Sequence, residues 1–166
     1  MKRIVLALLG GLAPVLVSAA TLDANGVMLG DAESSVQKAF PGIRCKPLEW
    51  NSDAADRRCD NARVQFAGVD ARVTFYLKAN SVRGFDVRFE SSKMDLVAAY
   101  LRDRFGKPVS ETREKIQRKN KEPREVFKIL WVQGKDKAVL STLSTGKRAS
   151  LSVSRDGFED EIYRVK

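Results

Sequence analysis

The spacing of apolar residues along this chain alternates between a helical period near 3.6 and a strand period of two. In "GVMLGDAESSVQKAFPG", residues 26–42, Val36, Ala39 and Phe40 share one helical face, Asp31 stands where an N-cap belongs, and Pro41 with Gly42 stops the helix. The stretch "ESSKMDLVAAYLRDRFGKP" predicts a second helix. Ser91 or Ser92 is positioned to cap it, Met94, Leu96, Val97, Tyr100, Leu101 and Phe105 form its apolar stripe, and Gly106 and Pro108 end it. Both stripes are predicted to be core faces packed on a sheet.

Between and after these helices the period is two. "ARVQFAG" sets Val64 and Phe66 against Arg63 and Gln65, and "ARVTFYLK" sets Val73, Phe75 and Leu77 against Arg72, Thr74, Tyr76 and Lys78. "GFDVRFE" places Phe85, Val87 and Phe89 opposite Asp86, Arg88 and Glu90. Such alternation predicts half-buried antiparallel strands with one wet face. Four further segments, "VSETREKIQR", "REVFKILWVQG", "KAVLSTLS" and "ASLSVSR", continue the pattern, and Trp131 falls on the apolar side of its strand with Phe127 and Ile129.

Sliding one half of the chain on the other aligns Phe40 with Phe105, Gly68 with Gly134, Asp70 with Asp136 and Val73 with Val139, at offsets of sixty-five or sixty-six. The expected fold is therefore α+β: two tandem helix-plus-antiparallel-sheet repeats, about 26–90 and 91–155, with the helices packed on one face of the sheet. The pattern leaves open whether the strands form one sheet or two.

The Gly-x-x-Leu-Gly lead, helix and Pro-Gly stop of "GVMLGDAESSVQKAFPG", with the later "LRDRFGKP", resemble the BamE-like and beta-lactamase-inhibitor-protein-like superfamily of small exported proteins. The resemblance implies an exported helix-and-antiparallel-sheet module and, through the inhibitors, binding of an enzyme by a sheet face and loops. The lipidated cysteine of the BamE-like members has no counterpart, and no binding residue carries over.

The first twenty residues, "MKRIVLALLGGLAPVLVSAA", have the charged start, short apolar stretch and small-residue end of a signal peptide cleaved after Ala19 or Ala20. The alternative is an N-terminal anchor, but Gly10, Gly11 and Pro14 interrupt the stretch. The expectation is a single mature domain, residues 21–166, periplasmic or secreted, with no transmembrane segment after signal removal. In an oxidising compartment two cysteines predict a disulfide, here Cys45 with Cys59, rather than a redox pair or zinc site. The net charge of +9 falls by the two charges of Lys2 and Arg3 once the signal is removed. That excess suits an acidic protein or an anionic envelope lipid or polymer, and export makes nucleic acid an unlikely partner.

Histidine is absent, which removes the usual general base, the Ser-His-Asp and Cys-His arrangements and the commonest metal ligand. "STGK", residues 144–147, matches a Ser-x-x-Lys nucleophile motif, but it joins two strands and reads as a hairpin turn with Gly146 supplying a positive φ. Asp53 with Asp56, and the run Glu159, Asp160, Glu161, lack the ligand spacing of a calcium loop and read as solvated charge. No cofactor, metal or catalytic residue is predicted.

Three surfaces are candidates for binding. On the wet sheet face Arg63, Arg72, Tyr76 and Arg88 are expected to project together, and Arg with Tyr is the pairing most enriched at interface hot spots. Trp50, inside the disulfide loop, is either tucked beneath that loop or exposed as an anchor. In "REKIQRKNKEPREVFK" a basic hairpin carries Arg118, Lys119, Lys121 and Arg124, which either protect a sheet edge or hold anionic lipid or cell-wall polymer. The leading expectation is a non-enzymatic protein-binding module, of inhibitor or immunity type, using the polar sheet face and the disulfide loop. The alternative is an envelope accessory protein working through the basic hairpin.

Overall fold

Two-residue turns close several of the hairpins, and most of the described residues lie in strands. Asn25-Gly26, Ala67-Gly68 and Ala79-Asn80 all have positive φ at both central residues, the conformation whose twist matches that of antiparallel strands. A computed structural model describes residues 21–118, 121–142, 146–155, 157–162 and 164, with the backbone alone at Arg118, Lys121, Glu122 and Arg124. The predicted signal peptide and residues 143–145 of the "STGK" turn region lie outside the described residues.

The described elements run β1 (Asp23–Ala24), β2 (Val27–Met28), α1 (Glu33–Ala39), β3 (Arg44–Pro47), β4 (Arg57–Phe66), β5 (Val69–Lys78) and β6 (Ser81–Glu90). After a 3-10 turn at Ser91–Lys93 come α2 (Met94–Phe105), β7 (Ser110–Arg118), β8 (Lys121–Gln133), β9 (Asp136–Thr142), β10 (Arg148–Arg155) and α3 (Phe158–Ile162). Strands β3 to β10 form one antiparallel sheet of eight, in the order β3-β4-β5-β6-β10-β9-β8-β7. The expected α+β fold of two helix-plus-sheet repeats is thereby corrected. The described residues are mostly β, 53% strand against 20% helix, with three short helices among them beside one large sheet.

The physical reason lies in how short the helices are beside the strands: α2 does bury Met94, Val97, Leu101 and Phe105 of its expected stripe, but most of the core comes from the sheet. Of the long window that predicted the first helix, only seven residues are helical, and Val36 is the only fully buried one among them. A helix this short is not stable without tertiary contacts. Asp31 does not cap it; Ala32 is the N-cap, and the Asp31 carboxylate instead accepts from the Met28 amide at 2.9 Å. Ser91 and Ser92 form the 3-10 turn, Lys93 precedes α2, and Leu96, expected in the apolar stripe, is 53% exposed.

Alternation along the strands fills the core. Val73, Phe75, Leu77, Phe85, Val87, Ile129, Trp131, Leu140, Leu151 and Val153 point to one face and are buried. Each buried Leu, Ile or Phe contributes about 1.5–3 kcal/mol, so this face outweighs the helices. Phe40 meets Phe75 with ring centroids 5.3 Å apart, Phe105 meets Trp131 edge-on at 5.8 Å, and the Trp131 indole donates to the Gly106 carbonyl at 2.9 Å. The helices α1 and α2 thus lie on the core side, and the other side of the sheet is the one to search for a site.

Candidate docking face

Residues directly opposite one another in an antiparallel pair share a face. The register therefore lays out the second face of the sheet in rows. Arg72 on β5 is opposite Arg88 on β6, Arg88 opposite Ser150 on β10, Ser150 opposite Ser141 on β9, and Ser141 opposite Lys128 on β8. The next row holds Asp60, Thr74, Asp86, Ser152, Val139 and Leu130, and the row beyond it Arg58, Tyr76, Gly84, Ser154, Lys137 and Val132.

The three rows differ in what covers them. Over the last row lies α3. Gly84 makes room for it, because a Cβ there would stand 2.6 Å from the Phe158 ring. Phe158 also meets the Tyr76 ring at 5.6 Å, Ile162 is buried, and Glu159 pairs with Lys137 at 3.3 Å while accepting from the Ser154 hydroxyl at 3.3 Å. From the far side the disulfide loop clasps the same helix: the Trp50 indole donates to the Ile162 carbonyl at 2.7 Å and the Ser52 hydroxyl to the Glu161 carbonyl at 3.0 Å. Tyr76, Ala55 and Ile162 make a second small core there, joined by Leu48, Trp50, Ala54 and Phe158.

Beside α3 the face opens into a cleft of about 420 Å³, whose lining includes Asp86, Arg88, Lys128, Ser141, Ser150 and Ser152. The small serines of β10 and β9 form its floor and the longer side chains of β6 and β8 its walls. Arg72, Arg88 and Lys128 are exposed and make no ion pair within 4 Å among the described residues, unlike Arg58, which Asp60 holds at 2.7 Å. The Ser152 hydroxyl donates to the Asp86 carboxylate. Burial raises the Asp86 carboxyl above its usual range, against the pull of the Ser152 hydrogen bond and the Arg88 charge and with a smaller push from Glu159. Leu130 and Val139 are half-buried and Val132 is 47% exposed, so the cationic row borders an apolar strip.

Cys45 and Cys59 are directly opposite on β3 and β4 and form the disulfide. Glu33 lies beside them in the one set with metal-ligand spacing among the described residues, but the two sulfurs are bonded to each other and offer no thiolate. The Glu33 carboxylate is held instead by Arg57 at 2.8 Å.

The residues singled out in the sequence are therefore distributed unequally. Arg72 and Arg88 are neighbours in the open row. Tyr76 shares their face but is only 5% exposed beneath α3, which corrects its expected place in an open patch. Arg63 is exposed in the bulge that interrupts β4 between Asn61 and Val64. Trp50 is half-buried against α3, and Leu48, Ser52, Ala54 and Ala55 of the disulfide loop join it there. Of the basic hairpin, Arg118, Lys121 and Arg124 belong to β7 and β8, and Lys119 lies outside the described residues. Sequence reasoning passed over Asp86, Lys128 and the serines at 150, 152 and 154, although the alternating serines of "ASLSVSR" are a legible sign of a low-relief strand.

No family model, no curated protein and no solved structure matches the chain. Among the described residues no helix is long and apolar enough to cross a membrane.

Proposed function

We propose that this chain is an exported, non-enzymatic module that binds a protein partner with the open face of its sheet, in the rows beside α3. The observation that carries the reading is the row Arg72, Arg88, Ser150, Ser141, Lys128: exposed cations without ion-pair partners among the described residues, on a rigid sheet, next to the half-covered Val139 and Leu130. Arginine beside apolar surface is the composition of interface hot spots, and a sheet holds such side chains at fixed spacing before the partner arrives. The disulfide supports an oxidising location. The lack of histidine in the whole sequence supports binding rather than catalysis. The disulfide loop serves this face indirectly, by holding α3 at its end.

Affinity capture with the mature protein from envelope and secreted fractions tests the reading. One stoichiometric protein is expected, with capture weakened by Arg72→Ala and by Arg88→Ala. Capture of nothing, or capture unchanged by both variants, overturns it.

A further inference from the structure

The sheet face already holds one peptide segment, and its chemistry is specific. The segment is α3, "FEDEI", with three carboxylates in five residues. It is seated by an aromatic ring in the notch above Gly84 and by Glu159 on Lys137 and Ser154. One row of the sheet therefore shows how a carboxylate is received on this surface: by a cation on β9 and a serine hydroxyl on β10. The open row repeats both parts, with Ser150 on β10 and Ser141 on β9 flanked by Arg88 and Lys128.

Resting on the docking reading above, we infer that the partner presents an acidic segment, laid across the strands beside α3 with its carboxylates on Arg72, Arg88 and Lys128. Arg88 and Lys128 are three strand spacings apart, about 14 Å. An extended segment rises about 3.3 Å per residue, so carboxylates four residues apart reach both cations at once. The serine floor between them lets backbone approach closely, and the half-buried Val139 and Leu130 give an apolar residue between the two acids a place to pack. Asp86, one row away, already accepts a hydrogen bond from the Ser152 hydroxyl.

The test is a titration of the whole mature protein with a synthetic peptide carrying glutamate at every fourth position, read by NMR shifts of the β6, β8 and β10 amides. Binding is expected at low salt and should weaken as salt rises. The double variant Arg88→Glu/Lys128→Glu should lose about tenfold or more in affinity, while Lys93→Glu/Lys107→Glu, equal in charge change but away from this face, should lose less than about twofold. Arg88→Gln/Lys128→Gln gives the same reading should the reversed charges fail to fold. Equal losses in the two pairs of variants would reduce the effect to net charge and overturn the inference. Absence of peptide binding at low salt, or binding to phosphatidylglycerol vesicles in place of peptide, would overturn it as well. Should the peptide fail while Arg88→Ala still weakens capture of a stoichiometric protein, the docking face stands and the acidic partner falls; should that capture fail too, both fall.

Discussion

Trp50 and Ile162 stand 112 positions apart in the chain and are joined by a hydrogen bond of 2.7 Å from indole Nε1 to carbonyl oxygen. This bond makes the disulfide loop a clamp for α3, and α3 in turn forms the end wall of the open cleft. The same bond makes the first prediction. Trp50→Phe keeps a ring at the site and removes the donor, so stability should fall by about 1–3 kcal/mol, the cost of leaving a buried acceptor unpaired. Urea unfolding measures the loss, and faster amide exchange confined to α3 locates it.

Gly84→Ala tests the notch from the sheet side. A methyl group at 2.6 Å from the Phe158 ring forces that ring, and α3 with it, away from the strand. Overpacking of this kind costs about 1–3 kcal/mol. The double variant Gly84→Ala/Phe158→Ala should recover part of the loss, because the clash disappears with the ring; a double variant weaker than the sum of the two singles would contradict the contact.

Removal of the disulfide by Cys45→Ala/Cys59→Ala opens a loop with a sequence separation of 14. Loops near this size contribute about 3 kcal/mol by restricting the unfolded chain. The predicted outcome is a drop of about that magnitude in chemical unfolding, with Trp50 fluorescence shifting before the sheet is lost, since the loop that carries Trp50 is released first.

Asp86 predicts a pH dependence with a definite sign. Its carboxyl is raised above the ordinary 3.8, first by burial, against the Ser152 hydrogen bond and Arg88 and with Glu159 adding to the rise. A raised value means that the folded protein prefers the protonated form. The associated stability is full below the ordinary value and is lost as pH rises through the raised one. Asp86→Asn, which keeps an acceptor for Ser152, should therefore be at least as stable as the parent at pH 7, and its advantage should shrink as pH falls below the ordinary value. Urea midpoints at both pH values check this.

Ala79 occupies the β5–β6 turn at a φ of 48°, where an L side chain is strained. Ala79→Gly relieves that strain at the cost of a more flexible unfolded chain, for a net gain of up to about 1 kcal/mol. Its amide still donates to Asp56 at 2.9 Å, so the turn is preserved. A thermal melt suffices to measure the gain.

The alternation of Val73, Phe75 and Leu77, or of Phe85, Val87 and Phe89, was enough to place each strand and to tell its two faces apart. Helix content was harder to read, because Val36, Ala39 and Phe40 satisfy a helical period over a stretch in which only seven residues are helical. Periodicity also identifies a face without revealing what covers it. Tyr76 and Arg72 fall on the same side of β5, yet one lies under α3 and the other in the open. That difference depends on Phe158 meeting Gly84, a contact between distant positions, and the run Glu159, Asp160, Glu161 reads locally as solvated charge rather than as part of a helix seated on the sheet. The Cys45–Cys59 bond was legible from compartment and number, whereas the role of Trp50 between them was set by its partner at the far end of the chain.

Site-specific photo-crosslinking tests the docking face most directly. A photoreactive residue at position 72 or 141 lies on the open face, and one at position 38 or 107 lies away from it. With the protein expressed in its own cells, positions 72 and 141 should yield one common protein adduct, and positions 38 and 107 none. Adducts from positions 38 and 107 instead, or no adduct from either face position, would contradict the assignment of the open sheet face as the binding surface.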